Sequence, residues 1–410
     1  MKRLIISLFV VFLSIGLKAQ VESTGLYDLS KGQAYCWNVS DDTLFVGCDD
    51  GVYAYDLKEM SKWEKYCDAE NSVIKIHKDK NRIFIVLMQY LEGNSYSYSI
   101  RCSDDYAQNY REIKVPEDYS YKGLYVSPKD PNRIFFTGKR NYFINDGVIF
   151  ASDNLGEEWQ QLYWYNEGIG KDTYYFPGVP LLEFNPYDDT CYAYGPISGL
   201  DSFHSFLFIS HDRLTSFDYT IRWYRGEKED PLMPYDEGTF THLGNMAFSQ
   251  SDVILVTTFR GVDKSTDGGK TWETSLDVLE RDNRADDKYV VFDQVNPNVA
   301  YVSIPNENGN MTFYYSRTAG DTWEEIGSPI KEYVNDFTNI RWCCVYGEYL
   351  YFSDWKDIYR IDVSNIQTGI SSVSAGDNSG DGFIYDLQGR RLSAEPAHGI
   401  YIKDGKKIAR

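Results

Sequence analysis

The chain has 410 residues, 42% of them apolar, enough to bury a sizeable core in one large domain or in two or three smaller ones. Its formal net charge of −20 argues against a nucleic-acid partner and against an anionic membrane surface, both of which would repel it. With 35 Tyr, 22 Phe and 9 Trp and no long runs of Ala, Leu, Glu and Lys, the composition favours an all-β protein.

Residues 1–19 have the pattern of a secretory signal peptide. Lys2 and Arg3 form a positive start, Leu4 to Leu17 an apolar run too short to span a bilayer comfortably, and Leu17-Lys18-Ala19 a cleavage site. No Cys stands at that junction, so a lipoprotein is not expected, and no later segment is long and apolar enough for a membrane span. Cleavage leaves 38 basic and 61 acidic residues, a net charge of −23. Seven Cys remain, an odd number, so at least one thiol is unpaired within a monomer. Cys36 and Cys48 flank a turn at Asp41-Asp42, where a cross-strand disulfide and free buried thiols are both open. Cys343 and Cys344 are adjacent and would point to opposite faces of a strand.

From residue 34 onward seven similar units follow one another. Unit one runs from Ala34 to Trp63, unit two from Val73 to Ile113 with a worn turn at Ser103-Asp104-Asp105, and unit three from Gly123 to Leu162. Unit four carries Phe184-Asn185-Pro186 and a turn, Ser210-His211-Asp212, that has lost its Gly and Trp. Unit five spans Met246 to Trp272, unit six Val290 to Trp323, and the short unit seven Ile340 to Val363. Four short strands in about forty to fifty residues is the blade size of a β-propeller. The fold expected for residues 20–363 is therefore a seven-bladed β-propeller, with Gly25 to Leu29 supplying the outer strand that unit seven lacks. Residues 364–382, rich in Ser, Gly, Asp and Asn, read as a linker, and 383–410 as a small C-terminal β segment. Asp377 to Gly382 departs from a calcium loop because Ser379 and Gln388 stand where acids are needed.

The most regular stretch is Ser265-Thr266-Asp267-Gly268-Gly269-Lys270-Thr271-Trp272. Its spacing recurs at Ser152, Gly156 and Trp159 and at Ser316, Gly320 and Trp323. A hydroxyl and a carboxylate two residues apart can bind the amides of a tight loop, Gly takes the positive φ, and Trp returns as an apolar anchor. These Ser-x-Asp-x-Gly-x-x-Trp turns resemble the Asp-box (BNR) repeats of sialidase-like, sortilin-like and xyloglucanase-like propellers and of the photosystem II assembly factor family. The resemblance covers most of residues 33–364 and implies the fold far more than any activity. Ile384 to Leu392 with Gly399 to Ile408 is similar to the C-terminal sorting domain of Bacteroidetes type IX secretion cargo, though shorter. That resemblance implies a secreted or cell-surface protein, with the periplasm as the alternative.

In such a blade the Ser-x-Asp turns share one face with the strand one to two turns. The opposite face, here the loop face, carries the two-to-three loops and the blade connections, and it is where the resembling enzymes bind substrate. Two connections on it are long, Tyr163 to Pro180 and Ile221 to Leu243, and rich in aromatics. Trp164, Tyr174, Tyr175, Trp223 and Arg225 from these, with Asp236 and Glu237 and with Asp201 and His204 of the loop between them, are the candidate walls of a cleft over blades three to five. Arg140 and Arg260 share the same face. Aromatic faces beside carboxylates suit sugar rings; the bland alternative is that these rings pack the long loops onto the ring of blades.

His77, His204, His211, His242 and His398 have no metal-ligand spacing, and there is no nucleophile elbow or phosphate loop, so no metal or cofactor is expected. Three functions follow as expectations: an exported monomer that binds a glycan or an extracellular protein, a glycoside hydrolase or lyase using loop-face carboxylates, or a protein assembly factor.

Overall fold

The computed structural model describes residues 21–367 except 141–146, 163–180, 197–204, 216–218, 224–242, 279–287, 306–310, 327–342 and a few isolated positions, and four short strands beyond 367. The chain divides into two compact units, Met1–Gln367 and Thr368–Arg410.

The larger unit is a β-propeller of seven four-stranded antiparallel sheets. A first strand, β1 (Val21–Ser23), and a helical turn, α1 (Leu26–Ser30), precede blade one, which holds β2–β5 (Ala34–Ser40, Thr43–Cys48, Gly51–Asp56, Glu64–Asp68). Blade two holds β6–β9 (Ser72–Asp79, Arg82–Leu91, Ser95–Ser103, Arg111–Ile113) and blade three β10–β13 (Tyr119–Val126, Ile134–Arg140, Gly147–Ser152, Gln160–Leu162). Blade four holds β14–β17 (Leu181–Phe184, Cys191–Pro196, Ser205–Ser210, Tyr219–Trp223) and blade five β18–β21 (Met246–Phe248, Ile254–Thr257, Gly261–Ser265, Glu273–Asp277). Blade six holds β22–β25 (Tyr289–Phe292, Ala300–Pro305, Met311–Ser316, Glu324–Glu325), and blade seven β26–β28 (Cys343–Tyr346, Tyr349–Ser353, Ile358–Asp362) followed by α2 (Ser364–Gln367). The second unit is a single sheet of β29–β32 (Ile384–Tyr385, Arg391–Leu392, Ile400–Lys403, Lys406–Ala409) in the order β30-β29-β31-β32.

Middle strands such as Gly147–Ser152 and Ala300–Pro305 are buried on both faces, so they read as unbroken apolar runs. Strand alternation then sends neighbouring residues to different interfaces: Phe135 packs with Leu182 and Phe208 toward blade four, and Phe136 with Phe84 and Ile113 toward blade two. Likewise Cys191 faces blade three while Tyr192 and Tyr194 face Met246 and Val256 of blade five. The core is therefore distributed over the interfaces between blades, the last joining Tyr351 and Ile358 to Leu44, Val46 and Tyr55.

Closure uses an earlier segment than the sequence suggests. Val21–Ser23 pairs antiparallel with β28 (Val21↔Ile361, Ser23↔Tyr359), whereas most of Gly25 to Leu29, expected to be that strand, lies in the helical turn Leu26–Ser30. Gly25 takes φ +80°, which ends the strand and turns the chain inward. The buried Asp357 carboxylate holds the turn: it accepts from Ser23 Oγ at 2.5 Å and from the amides of Leu26 and Ile358, both at 2.8 Å. Arg360 binds Glu22 (Nη2 to Oε2, 2.9 Å), and Trp63 Nε1 donates to Thr24 Oγ1 at 3.0 Å, tying the same segment to blade one.

The Ser-x-Asp stretches are hydrogen-bonded turns between third and fourth strands. In blade five Ser265 Oγ donates to Asp267 Oδ1 and accepts from the Gly269 amide, both at 2.9 Å, while Asp267 accepts from the Thr271 amide at 2.9 Å. Ser152, Asn154, Gly156 and Glu158 repeat the frame, as do Ser316, Thr318, Gly320 and Thr322, with an amide and a hydroxyl in place of the carboxylate. It also persists where the motif is worn: Ala107 and Leu214 take the glycine position at φ 68° and 65°, with amides on Ser103 and Ser210. Asn109 and Ser103 hold Asp105 down to about 2.

Each turn docks on the preceding blade. Trp159 Nε1 donates to Lys114 O at 2.7 Å, Trp323 Nε1 to Ser275 Oγ at 2.9 Å, and Tyr192 OH reaches Gly268 O at 3.2 Å. The approach is closest at Gly156, where a Cβ would stand 2.3 Å from Ile113 Cγ2.

Six of the seven thiols decide a choice that the sequence leaves open. Cys36, Cys48, Cys67, Cys102, Cys191 and Cys344 are free. The two-residue turn at Asp41-Asp42 pairs Ser40 with Thr43, and that register sets Cys36 opposite Gly47, while a bulge beyond it sets Cys48 opposite Ala34, so the two never face each other. Cys36 Sγ instead contacts Val73 O at 3.3 Å, and burial pushes the Cys48 thiol up to about 12.

Two stability effects follow. Asp357→Ala leaves buried amides of the closure unpaired and is expected to cost roughly 2–4 kcal/mol in urea unfolding, more than Asp267→Ala, expected at about 1–2 kcal/mol because its amides face water. Equal losses would contradict the closure as the weak point of the ring.

Candidate functional site

The antiparallel meander sorts the turns between two faces. Amides of the three-to-four turns donate to carbonyls of the one-to-two turns (Tyr106 to Asn81, 3.0 Å; Leu155 to Asn132, 3.2 Å; Ala319 to Asn298, 2.7 Å), so these share one face. The two-to-three loops and blade connections occupy the other, the loop face.

Of the sequence-derived candidates, Trp164, Tyr174, Tyr175, Asp201, His204, Arg225, Asp236 and Glu237 lie outside the described residues. Arg140 ends β11, opposite Tyr119, and Trp223 ends β17, opposite Ser205, both at the loop-face end of their strands. Arg260 sits in the two-to-three turn of blade five and is ion-paired to Asp277 of the same blade. Beside that pair, burial pushes Asp263 up to about 7 against the pull of Thr274 and Arg260.

Two features absent from the sequence reading stand out among the described residues. The first is a polar cluster near the axis. First strands of neighbouring blades contact one another (β2 with β6, β6 with β10, β18 with β22, β22 with β26), so they line the centre of the ring. Lys75 of β6 lies with its Nζ 5.3 Å from the Tyr125 ring centroid of β10, and both couple to Glu183 of β14. Burial pushes Glu183 up to about 7, opposed by Lys75. Burial pushes His77 down to about 4, with Lys75 adding to it, so His77 is neutral near pH 7.

The second is a ribbon on blade two. The pair β7–β8 runs in register from Ile83↔Ser103 to Leu91↔Ser95, but β6 accompanies it only to Met88 and β9 only to Ile100. The end of the hairpin thus projects on the loop face as two strands. It carries exposed Tyr90 (59%), Tyr96 (50%), Leu91 (39%) and Tyr98 (36%). Tyr90 and Tyr96 meet edge to face at 5.4 Å, Tyr98 rests on Tyr121 of blade three at 5.1 Å, and Tyr121 leads into the core through Phe136 at 6.2 Å. The alternation Ser95-Tyr96-Ser97-Tyr98-Ser99 was the sequence signal for it, since period two places both Tyr on one face.

No protein-family model and no curated protein matches this chain. Among solved structures it is similar to YCF48 bound to D1 peptide, at 13% identity and TM-score 0.52 over 88% of this chain and 97% of that one. YCF48 from Cyanidioschyzon merolae gives 14% and 0.52 over 84% and 98%. An ancestral GH74 enzyme gives 15% and 0.52 over 80% of this chain and 44% of that one. At such identities the likeness is one of fold.

A carboxyl raised from the ordinary range to about 7 keeps its proton in the folded state where the unfolded chain has lost it, so its penalty grows as pH rises from about 4.5 to 7. Glu183→Gln removes that ionisation. Its unfolding free energy, relative to the parent, is expected to rise by about 2–3 kcal/mol between pH 5 and pH 8. A parallel pair of pH curves would show that Glu183 is not desolvated.

Proposed function

We propose that this protein is an exported β-propeller that binds a glycan or an extracellular protein through its loop face. The observation that carries the reading is the exposed aromatic surface of the blade-two ribbon, Tyr90, Tyr96 and Tyr98, held on the face where the long connections also emerge. Tyr90, Tyr96 and Tyr98 share one face of the hairpin and form a contiguous aromatic patch, the kind of surface that marks an interaction site. Tyr supplies broad contact area at small entropic cost and a hydroxyl at its rim, which suits a protein or a sugar equally.

The ribbon widens the site inferred from the long connections over blades three to five to include blade two. The Ser-centred turns, with their shared hydrogen-bond frame, support membership among Asp-box propellers; the signal-like residues 1–19 and the C-terminal strands support export, through the type IX route, to the cell surface or medium. YCF48 with its D1 peptide supplies a precedent for a propeller engaging a polypeptide, and nothing about the residues used here.

Glycan-array and peptide-display binding to the full chain, compared with a Tyr90→Ala/Tyr96→Ala variant, tests the reading. At least a tenfold loss of binding is expected, with the urea midpoint nearly unchanged because both rings are exposed. Undiminished binding removes the ribbon from the site. Release of reducing ends from a bound glycan would replace the reading with the hydrolase one.

A further inference from the structure

The ribbon has an edge as well as a face. Between Ser95 and Ser99 β8 pairs with β7 alone; β9 meets it only at Ile100, Arg101 and Cys102. In an antiparallel strand alternate residues turn their N–H and C=O groups to opposite edges, so this stretch offers a row of backbone donors and acceptors with no strand beside it among the described residues.

The outer edges of four other blades are protected. Blade one ends in Glu64-Lys65-Tyr66-Cys67-Asp68 with a bulge opposite Val52 and Tyr53, and blade five in Glu273–Asp277 with a bulge opposite Val262 and Asp263. The outer strand of blade six is Glu324-Glu325, and that of blade seven carries Glu22, engaged by Arg360. Charges and bulges of this kind discourage a further strand. Ser95-Tyr96-Ser97-Tyr98-Ser99 has neither: its register with β7 is unbroken, and from Met88 to Ser99 the only charged residue is Glu92.

We propose that this edge takes up an extended segment of another polypeptide as an added antiparallel or parallel strand, with Tyr96 and Tyr98 packing against its side chains. The inference rests on the loop-face reading and narrows its partner to polypeptide: a glycan can stack on tyrosines but cannot satisfy a ladder of amides and carbonyls at strand spacing. Charge narrows it further. A second copy would bring two chains of net charge −20 together at a nearly uncharged edge, with no opposite charge on the ribbon to offset it, so the occupant is a different chain, neutral or basic.

The test is selection of a phage-displayed library of random twelve-residue peptides on the full chain, followed by amide hydrogen exchange of the complex with the best synthetic peptide. Neutral or basic peptides rich in β-branched and aromatic residues are expected, with exchange slowed at least tenfold at alternate amides of Ser95–Ser99. Ser97→Lys, which charges the edge and leaves every Tyr in place, is expected to weaken the peptide at least tenfold while the urea midpoint holds. The strand-addition proposal is overturned if no peptide is selected, if a bound peptide leaves Ser95–Ser99 exchange unchanged, or if a dimer forms that Ser97→Lys dissolves. Glycan binding lost in Tyr90→Ala/Tyr96→Ala, with no peptide bound, sinks the edge and leaves the loop face standing; loss of neither binding sinks both.

Discussion

Every sheet of this ring is apolar on both faces, and a sheet at the end of an open row would expose one of them. The whole distribution of the core therefore depends on blade seven meeting blade one. That meeting is made by three residues, Val21–Ser23, paired along β28 and anchored by the buried carboxylate of Asp357. A short strand buries little area of its own. Its weight comes from what it completes, the packing of Tyr351 and Ile358 against Leu44, Val46 and Tyr55. Polar chemistry makes the join specific: Asp357 gathers the amides of a helical turn that would otherwise be unsatisfied in the interior, and Trp63 and Arg360 pin the segment from either side.

The turns between third and fourth strands perform a related task locally. In blades two to six each has a serine whose hydroxyl bonds the side chain two residues on and accepts from the amide four residues on, and the turn so formed seats against the previous blade. The frame requires hydroxyl chemistry at the first position and an acceptor at the third, which Asp, Asn and Thr all supply. It is less strict about glycine. Leu214 accepts the left-handed conformation because its side chain is buried in the apolar interface between blades three and four, a gain that offsets the backbone strain. Gly156 has no such freedom, since Ile113 occupies the space a Cβ would need.

The loop face lies apart from these interfaces and turns. Its blade-two hairpin outgrows the strands on either side and so escapes the packing that buries the rest of β7 and β8. The tyrosines at its end stand on a ladder through Tyr121 and Phe136 into the core, which gives an exposed aromatic surface a rigid base. Near the axis, Lys75, Tyr125 and Glu183 form a second polar group whose ionisation is set by burial more than by partners.

The repeat, the strand-rich composition and the Ser-x-Asp turns were sufficient to read seven blades, because blade formation is a local matter of alternation and turn chemistry repeated every forty to fifty residues. Where the outcome depended on residues far apart, the sequence alone was misleading or silent. Gly25 to Leu29 has strand-like composition, but the Asp357 carboxylate, more than three hundred residues away, winds it into a turn. Cys36 and Cys48 flank one hairpin, yet the register set by its two-residue turn places Cys36 opposite Gly47. The Tyr-Ser alternation of β8 was visible, but its exposure was decided by how far β6 and β9 extend, a property of the neighbouring strands. Glu183 and Lys75 stand 108 positions apart, and only ring closure, which sets first strands side by side around one axis, brings them to a common site.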